Sequence, residues 1–302
     1  MLIDILCGIK KKMLLNDHLR SRFGDKVYKI ALNGGFTCPN RDGTIGDEGC
    51  IFCSKGGSGE FAEDAAFSIT EQIESGKRRI DKKIKSGKYI AYFQAYTGTY
   101  GKIERLRELY FQAIEHPEVQ VLSIATRPDC LPDEVLDLLT ELNGIKPVWI
   151  ELGLQTVHEK TAEYIRRGYG LKIYDEAVKK LHEHGIEVIV HVILGLPGET
   201  EEDMLETVRY VCDSKAEGIK LQLLHVLKGT DLEKEYLAGR VKVLSEDEYI
   251  AILKKAVKLI PEEMVIHRLT GDGDKRILVA PLWSGNKKRV INRIRNEVLY
   301  EI

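Results

Sequence analysis

Gly34-Gly35-Phe36-Thr37-Cys38-Pro39-Asn40 and, a loop later, Gly49-Cys50-Ile51-Phe52-Cys53 form the stretch on which the reading of this chain turns. Three of the six cysteines lie here in a C-x11-C-x2-C spacing, with glycines before, between and after them. Two thiolates three residues apart can grip one metal centre from a single turn, and the third arrives by a loop. Structural zinc takes four protein ligands in a tetrahedron, and no fourth Cys or His occurs in this stretch. Three thiolates with one position open suit a 4Fe–4S cluster whose fourth iron takes an exogenous ligand. Spacing favours the cluster and leaves zinc open. A disulfide is the weaker reading, because little else in the chain looks secreted.

Outward from the cysteines, apolar runs alternate with amphipathic segments. Val27 to Leu32 reads as a first strand, which the Gly34-Gly35 bend delivers into the cysteine loop. Further strands are expected at Tyr89 to Gln94, Gln120 to Ala125, Val148 to Leu154, Ile186 to Ile193 and Ile219 to Leu224. Helices are expected at Asn16 to Gly24 (or a turn), Ser68 to Ser86 with Ser68 as N-cap and Glu71 closing a capping box, Ile103 to Glu115, from Pro132 onward, up to His184, and after Gly198. Strand–helix alternation indicates a parallel sheet. Polar and glycine signals gather at the strands' C-terminal ends, where parallel α/β barrels place their chemistry. The fold class is therefore α/β, a partial (β/α)6 TIM-like barrel with a C-terminal extension. Three units are expected: a leader and short helix over 1–26, the barrel over 27–229, and an extension over 230–302. That extension holds a helix from Glu246 to Leu259, a short strand from Val265 to Leu269 and a basic terminal helix; it is expected to close the barrel's side or base.

Composition narrows the setting. A chain of 302 residues with 43% hydrophobic content can bury a large core, and its formal charge of −2 argues against a uniformly basic nucleic-acid binder. Met1 to Leu6 is a poor signal peptide, since Lys10-Lys11-Lys12 follows rather than precedes it. No apolar run approaches a membrane span, so no membrane association is expected. Cys7, Cys130 and Cys212 are scattered and suggest no disulfide framework. A reducing, cytoplasmic location follows. Cys7 is assigned to the leader, because interpretable pattern begins near Leu14.

Taken together, Gly34 to Gly43, Tyr92-Phe93-Gln94-Ala95-Tyr96-Thr97, Thr126-Arg127-Pro128-Asp129-Cys130, Glu151-Leu152-Gly153-Leu154-Gln155 and Ala280-Pro281-Leu282-Trp283 resemble the radical S-adenosylmethionine (radical SAM) superfamily. The match is to its YhcC/YtqA-like (MnmL-like) branch, related to the elongator-type and oxygen-independent coproporphyrinogen oxidase enzymes. The wide gap before Cys50 departs from the commonest superfamily spacing but suits this branch.

The resemblance implies a 4Fe–4S cluster held by Cys38, Cys50 and Cys53, with S-adenosylmethionine (SAM) on the fourth iron and a 5′-deoxyadenosyl radical as the product of its reductive cleavage. It places Phe52 against adenine and Thr97, Gly98 and Thr99 at the methionine amino group. Glu151 and Gln155, with Gly153 between them, are expected on one face of a strand, near the ribose or the SAM amine. One of Arg166 and Arg167 would clamp the SAM carboxylate. Gly195 and Gly198 would pass beneath adenine, and Leu227 and Lys228 would meet it through backbone. Tyr96 and Cys130 are the catalytic candidates, with Tyr100, His191 and His225 as further polar neighbours; for each, a structural role is the alternative.

The same branch implies tRNA as substrate, with conversion of a wobble-uridine carboxymethylaminomethyl side chain towards aminomethyl, and a low-potential electron donor of flavodoxin or ferredoxin type. Two basic runs bear on this: Lys77-Arg78-Arg79 with Lys82, Lys83, Lys85 and Lys88, and Lys287-Lys288-Arg289 with Arg293 and Arg295. Such runs are usually solvated faces. Trp283 and Tyr100 are candidate stacking platforms for a base. The alternatives are a radical SAM oxidoreductase acting on a small molecule, and a non-catalytic zinc-binding protein. No second cysteine cluster is present to hold an auxiliary centre.

Overall fold

A computed structural model describes residues 12–57, 59–82, 87–271 and 273–300. The leader with Cys7, the Lys83 to Ser86 end of the second expected helix, and Ser58 lie outside the described residues. The helices are α1 (Leu15–Phe23), α2 (Ile69–Asp81), α3 (Ile103–Ile114), α4 (Asp133–Asn143), α5 (Glu159–Tyr164), α6 (Leu171–Glu183), α7 (Glu201–Asp213), α8 (Asp231–Leu237), α9 (Glu246–Leu259) and α10 (Lys287–Ile294). The strands are β1 (Tyr28–Leu32), β2 (Tyr89–Phe93), β3 (Val119–Thr126), β4 (Val148–Gln155), β5 (Glu187–Leu194), β6 (Gly218–Leu223), β7 (Val226–Leu227), β8 (Val265–Arg268) and β9 (Leu278–Ala280). Seven of these form one parallel sheet in the order β1-β2-β3-β4-β5-β6-β8, curled into a partial barrel, while β7 and β9 pair antiparallel as a small ribbon.

Residue parity sorts each strand into two environments. Tyr89, Ala91 and Phe93 of β2 join the core under the outer helices, whereas Ile90 and Tyr92 face the lumen. In β4, Val148, Ile150, Leu152 and Leu154 pack outward and Trp149 inward. Both faces are covered, so the strands read as nearly continuous apolar runs, as parallel strands do. The Ser68–Glu71 capping box opens α2 as its sequence predicts.

Two differences from the expected architecture have a physical origin. The extension does not only lean on the barrel; it supplies β8 as a seventh parallel strand beside β6. The base, moreover, is plugged by α1, whose Leu19 is buried against the lumen's lower apolar layer with Trp149 and Ile189. Burying such a leucine contributes about 1.5–3 kcal/mol. The sequence marks β8 as a short strand yet leaves it outside the six-strand count, because nothing in its four residues says which sheet edge they join.

Candidate active site

Above the apolar base, the inward positions turn polar. Glu151 of β4 is 1% exposed and its carboxylate is saturated: Lys29 Nζ at 2.7 Å and Ser123 Oγ at 2.9 Å on Oε1, His191 Nε2 at 2.9 Å and Lys220 Nζ on Oε2. Burial opposes ionisation here, but Lys220, Lys29 and His191 hold the carboxyl well below its ordinary range. Burial and the Lys220 ammonium lower His191 to about 4, leaving a neutral imidazole. Because Nε2 donates to the carboxylate, Nδ1 accepts from Gln222 Nε2 at 3.3 Å.

The cysteine loop closes over this layer. Cys38, Cys50 and Cys53 line one cavity together with Phe52, Tyr96, Thr97, Gln155, Arg167 and the polar lumen residues. Loop position is set by named bonds: Asn40 Nδ2 donates to the Arg166 carbonyl at 2.7 Å, Arg41 donates to the Cys53 and Ser54 carbonyls at 2.9 and 2.7 Å, and Thr97 N donates to the Thr37 carbonyl at 3.2 Å. Gly49, at φ +78°, lets the chain turn over the Arg41 guanidinium, which a Cβ would meet at 2.9 Å. Burial, then neighbouring Cys53, pushes the Cys50 thiol up to about 12, and burial raises Cys53. Such thiols need a metal to be deprotonated.

Among the described residues these three are the only Cys residues lining this cavity, and three thiolates leave one coordination position open, so the donor set fits a 4Fe–4S cluster whose fourth iron takes an exogenous ligand.

Among the described residues four non-glycine residues have positive φ; two of them, Tyr96 (58°) and Gln155 (69°), line this cavity, and Arg166 (57°) lies between its lining residues Ile165 and Arg167. Such strain persists where surrounding structure imposes it, often at functional sites. At Gln155 it breaks the strand's alternation just past Gly153, where the β4–β5 register also shifts. A second cavity abuts the first, sharing Phe52, Gln94, Gln155, Gln222 and Arg268 and adding Glu60, His225, Leu227 and Asp274.

The sequence-derived candidates separate by position. Arg166 turns away, pairing with Glu48 and Asp231. Arg167 reaches the cavity wall but its guanidinium is spent on the carbonyls of Leu154, Thr156 and Tyr169 at 3.0, 2.6 and 2.9 Å. It stacks on one side of the Tyr169 ring at 4.8 Å, with Arg127 at 4.9 Å. Thr99, 2% exposed, is bonded to Thr126 Oγ1 and the Cys130 carbonyl, and Gly98 packs against Ile124 and the Ala125 carbonyl. Neither lines the two cavities. Cys130, raised to about 12 by burial and Asp129, lines a separate groove with Tyr100. Gly195 lies against Leu244, and Lys228 joins the β7–β9 ribbon by donating to the Ile277 carbonyl at 2.7 Å. Trp283 donates to the Leu244 carbonyl at 3.0 Å and packs on Tyr249, a core role. Four members of the basic runs are paired with acids: Lys77 with Glu74 and Glu118, Arg79 with Glu63, Arg289 with Glu246, Arg293 with Asp247 and Glu297.

Several site residues escaped sequence reasoning: Asn40 and Arg41 in the loop, Lys29, Gln94, Lys220, Gln222 and Arg268 in the lumen. Lys220 and Gln222 did leave a signal, two polar residues at alternate positions of an apolar strand.

The sequence pattern of the radical SAM superfamily matches residues 38–211, and that of the Radical_SAM C-terminal domain matches 216–299. The chain belongs to the radical SAM superfamily. It is 48% identical over 289 residues to the protein YtqA of Bacillus subtilis, covering 96% of this chain and 90% of that one. It is 27% identical over 161 residues to a tRNA uridine(34) acetyltransferase of Methanocaldococcus jannaschii, covering 52% of this chain and 29% of the other. In fold it is similar to Methanocaldococcus infernus Elp3 with an N-terminal deletion, with a TM-score of 0.67 at 18% identity, over 90% of this chain and 63% of that chain. As a radical SAM enzyme, the protein uses a 4Fe–4S cluster and SAM. Among the described residues no helix is long and apolar enough to cross a membrane.

Proposed function

We propose that this enzyme modifies the wobble-uridine side chain of tRNA, converting a carboxymethylaminomethyl group towards aminomethyl, in the cytoplasm and with a low-potential electron donor of flavodoxin or ferredoxin type. The observation that carries the reading is the set of amides lining both cavities: Gln94, just past β2, Gln155 of β4 and Gln222 of β6. Amides offer donors and acceptors together, as the donor N3–H and acceptor carbonyls of a uracil edge require. A tetrapyrrole would call for a wider apolar wall. Similarity to a tRNA uridine(34) acetyltransferase supports the same substrate class.

In this reading Cys38, Cys50 and Cys53 hold the cluster, Phe52, Thr97 and Gln155 wall the SAM site, and Arg167 fixes its rim. When bound, cluster and SAM supply one-electron cleavage of the sulfonium and hydrogen-atom abstraction from substrate. The chain's own task is to orient the substrate carbon and exclude water. Tyr96, held in its strained backbone conformation beside the cavity, shapes that space. Neutral His191 orients Gln222 through Nδ1.

Mass spectrometry of tRNA nucleosides from a deletion strain tests the reading. Accumulation of the carboxymethylaminomethyl nucleoside, reversed by the wild-type gene and not by a Cys50→Ala copy, is expected. An unchanged wobble-uridine profile refutes it.

A further inference from the structure

Two hydrogen bonds tie a cavity amide to a buried charge. Glu151, 1% exposed, accepts from Lys29, Ser123 and Lys220 as well as from His191 Nε2 at 2.9 Å. A carboxylate accepts only, so that ring nitrogen carries the proton, and Nδ1 of the neutral imidazole has a lone pair and no hydrogen. Gln222 Nε2 lies 3.3 Å from Nδ1 and must donate to it. The chain from carboxylate to imidazole to amide therefore has one polarity.

Gln222 lines both cavities. Among the described residues its side chain makes no other hydrogen bond, so Oε1 and the second N–H of the amide remain for a ligand. Turning the amide over would set Oε1 against the Nδ1 lone pair, two acceptors face to face, and leave both unsatisfied. A ligand thus meets an acceptor and a donor in a set order.

That order matters to a pyrimidine. Uracil presents the N3–H donor beside the O4 acceptor, whereas cytosine presents the N3 acceptor beside its N4 amino donor. With the base held at its ribose and its 5-side chain directed at the SAM site, the edge cannot slide to another register. A glutamine free to rotate serves either base, because turning its amide exchanges the two ends. Held by His191, it serves one.

We infer that Gln222 reads the edge of the substrate base, with Oε1 accepting from N3–H, and that His191 is the positioning residue whose lone pair makes the site select uracil over cytosine. This rests on the tRNA reading above. It also gives the saturated carboxylate of Glu151 a part in recognition: it touches no ligand but fixes the imidazole tautomer that fixes the amide.

The test uses anaerobically reconstituted holoenzyme without reductant, so that nothing turns over. Fluorescence anisotropy compares two anticodon stem-loop RNAs with the same carboxymethylaminomethyl group on carbon 5 of the wobble base, one a uridine and the other a cytidine. Wild type is expected to bind the uridine RNA about ten-fold or more tightly. His191→Leu removes the lone pair and frees the amide, so its ratio should fall towards one, with the uridine RNA bound more weakly and the cytidine RNA more tightly than by wild type. Damage to the fold would weaken both. His191→Gln, whose own amide can donate to Glu151 and accept from Gln222, should keep the preference. Gln222→Met should lose it by weakening the uridine RNA alone, and this pair carries the test if the leucine variant loads iron poorly. A ratio retained in His191→Leu or Gln222→Met, a fall in His191→Leu without tighter cytidine binding, or no preference in wild type overturns the inference and leaves the tRNA reading standing. Failure of wild type to bind either RNA removes the tRNA reading and the inference with it.

Discussion

His191 Nε2 lies 2.9 Å from Oε2 of Glu151, and this one contact fixes what the imidazole can offer the cavity. A carboxylate accepts only, so Nε2 carries the proton and Nδ1 presents a lone pair to Gln222. The buried charge cluster thereby orders an amide that lines the cavity, although Glu151 itself has no capacity left for a ligand.

Removing that carboxylate should be expensive. Glu151→Gln leaves Lys220 buried beside Lys29 and Arg268 without its counter-ion, and breaking a buried pair costs about 3–5 kcal/mol. Urea unfolding should show this loss, with Glu151→Gln/Lys220→Met recovering part of it. A loss below about 1 kcal/mol would mean that the lumen is wet enough to screen the pair.

Acid should weaken the fold through His191. Its folded pKa is about 4 against an ordinary 6.5. Unfolding takes up a proton between those values, so this contribution is intact above pH 6.5 and is lost as pH falls towards 4, up to about 3 kcal/mol. In urea titrations across this window, His191→Gln should show a shallower slope than wild type. Parallel slopes would contradict a neutral, buried imidazole.

The two adjacent arginines should behave oppositely. Arg166→Gln removes partly exposed ion pairs to Glu48 and Asp231 and should cost under about 1 kcal/mol. Arg167→Gln strips buried carbonyls of Leu154, Thr156 and Tyr169 of a charged donor and should cost about 2–4 kcal/mol. Thermal unfolding of the two variants side by side reads the difference; equal shifts would deny Arg167 its structural role.

Gly98→Ala tests whether the glycine after β2 serves packing. A Cβ there would come within 2.6 Å of Ile124 Cγ2 and 2.9 Å of the Ala125 carbonyl. Relief must come from backbone, at about 1–3 kcal/mol. Lowered stability with unchanged SAM affinity is the expected pair of results, and lost SAM affinity at full stability would assign Gly98 to the cofactor instead.

Each cysteine of the trio should be necessary for iron. Cys38→Ala, Cys50→Ala and Cys53→Ala are expected to lose most of the cluster's iron on anaerobic reconstitution, measured by metal analysis. Retention of one zinc per chain in its place would favour a single-ion centre.

Local pattern determined much of this protein. Alternating apolar strands and capped amphipathic helices specify a parallel α/β sheet, and the cysteine spacing marks the candidate metal-binding loop, because periodicity and short loops act within a few residues. Only tertiary structure decided which polar side chains share the lumen. Glu151, His191, Lys220 and Lys29 come from four strands, and the cost of burying the Glu151 and Lys220 charges is met by partners far away in sequence. The same holds for the twin arginines: a left-handed backbone at Arg166 sends one side chain outward to acids in the cysteine loop and at the start of α8, and the next inward to backbone carbonyls. Spacing along the chain carries no record of that choice, since the curvature of the sheet and the closure of the loop over it determine where each side chain can find its counter-charge.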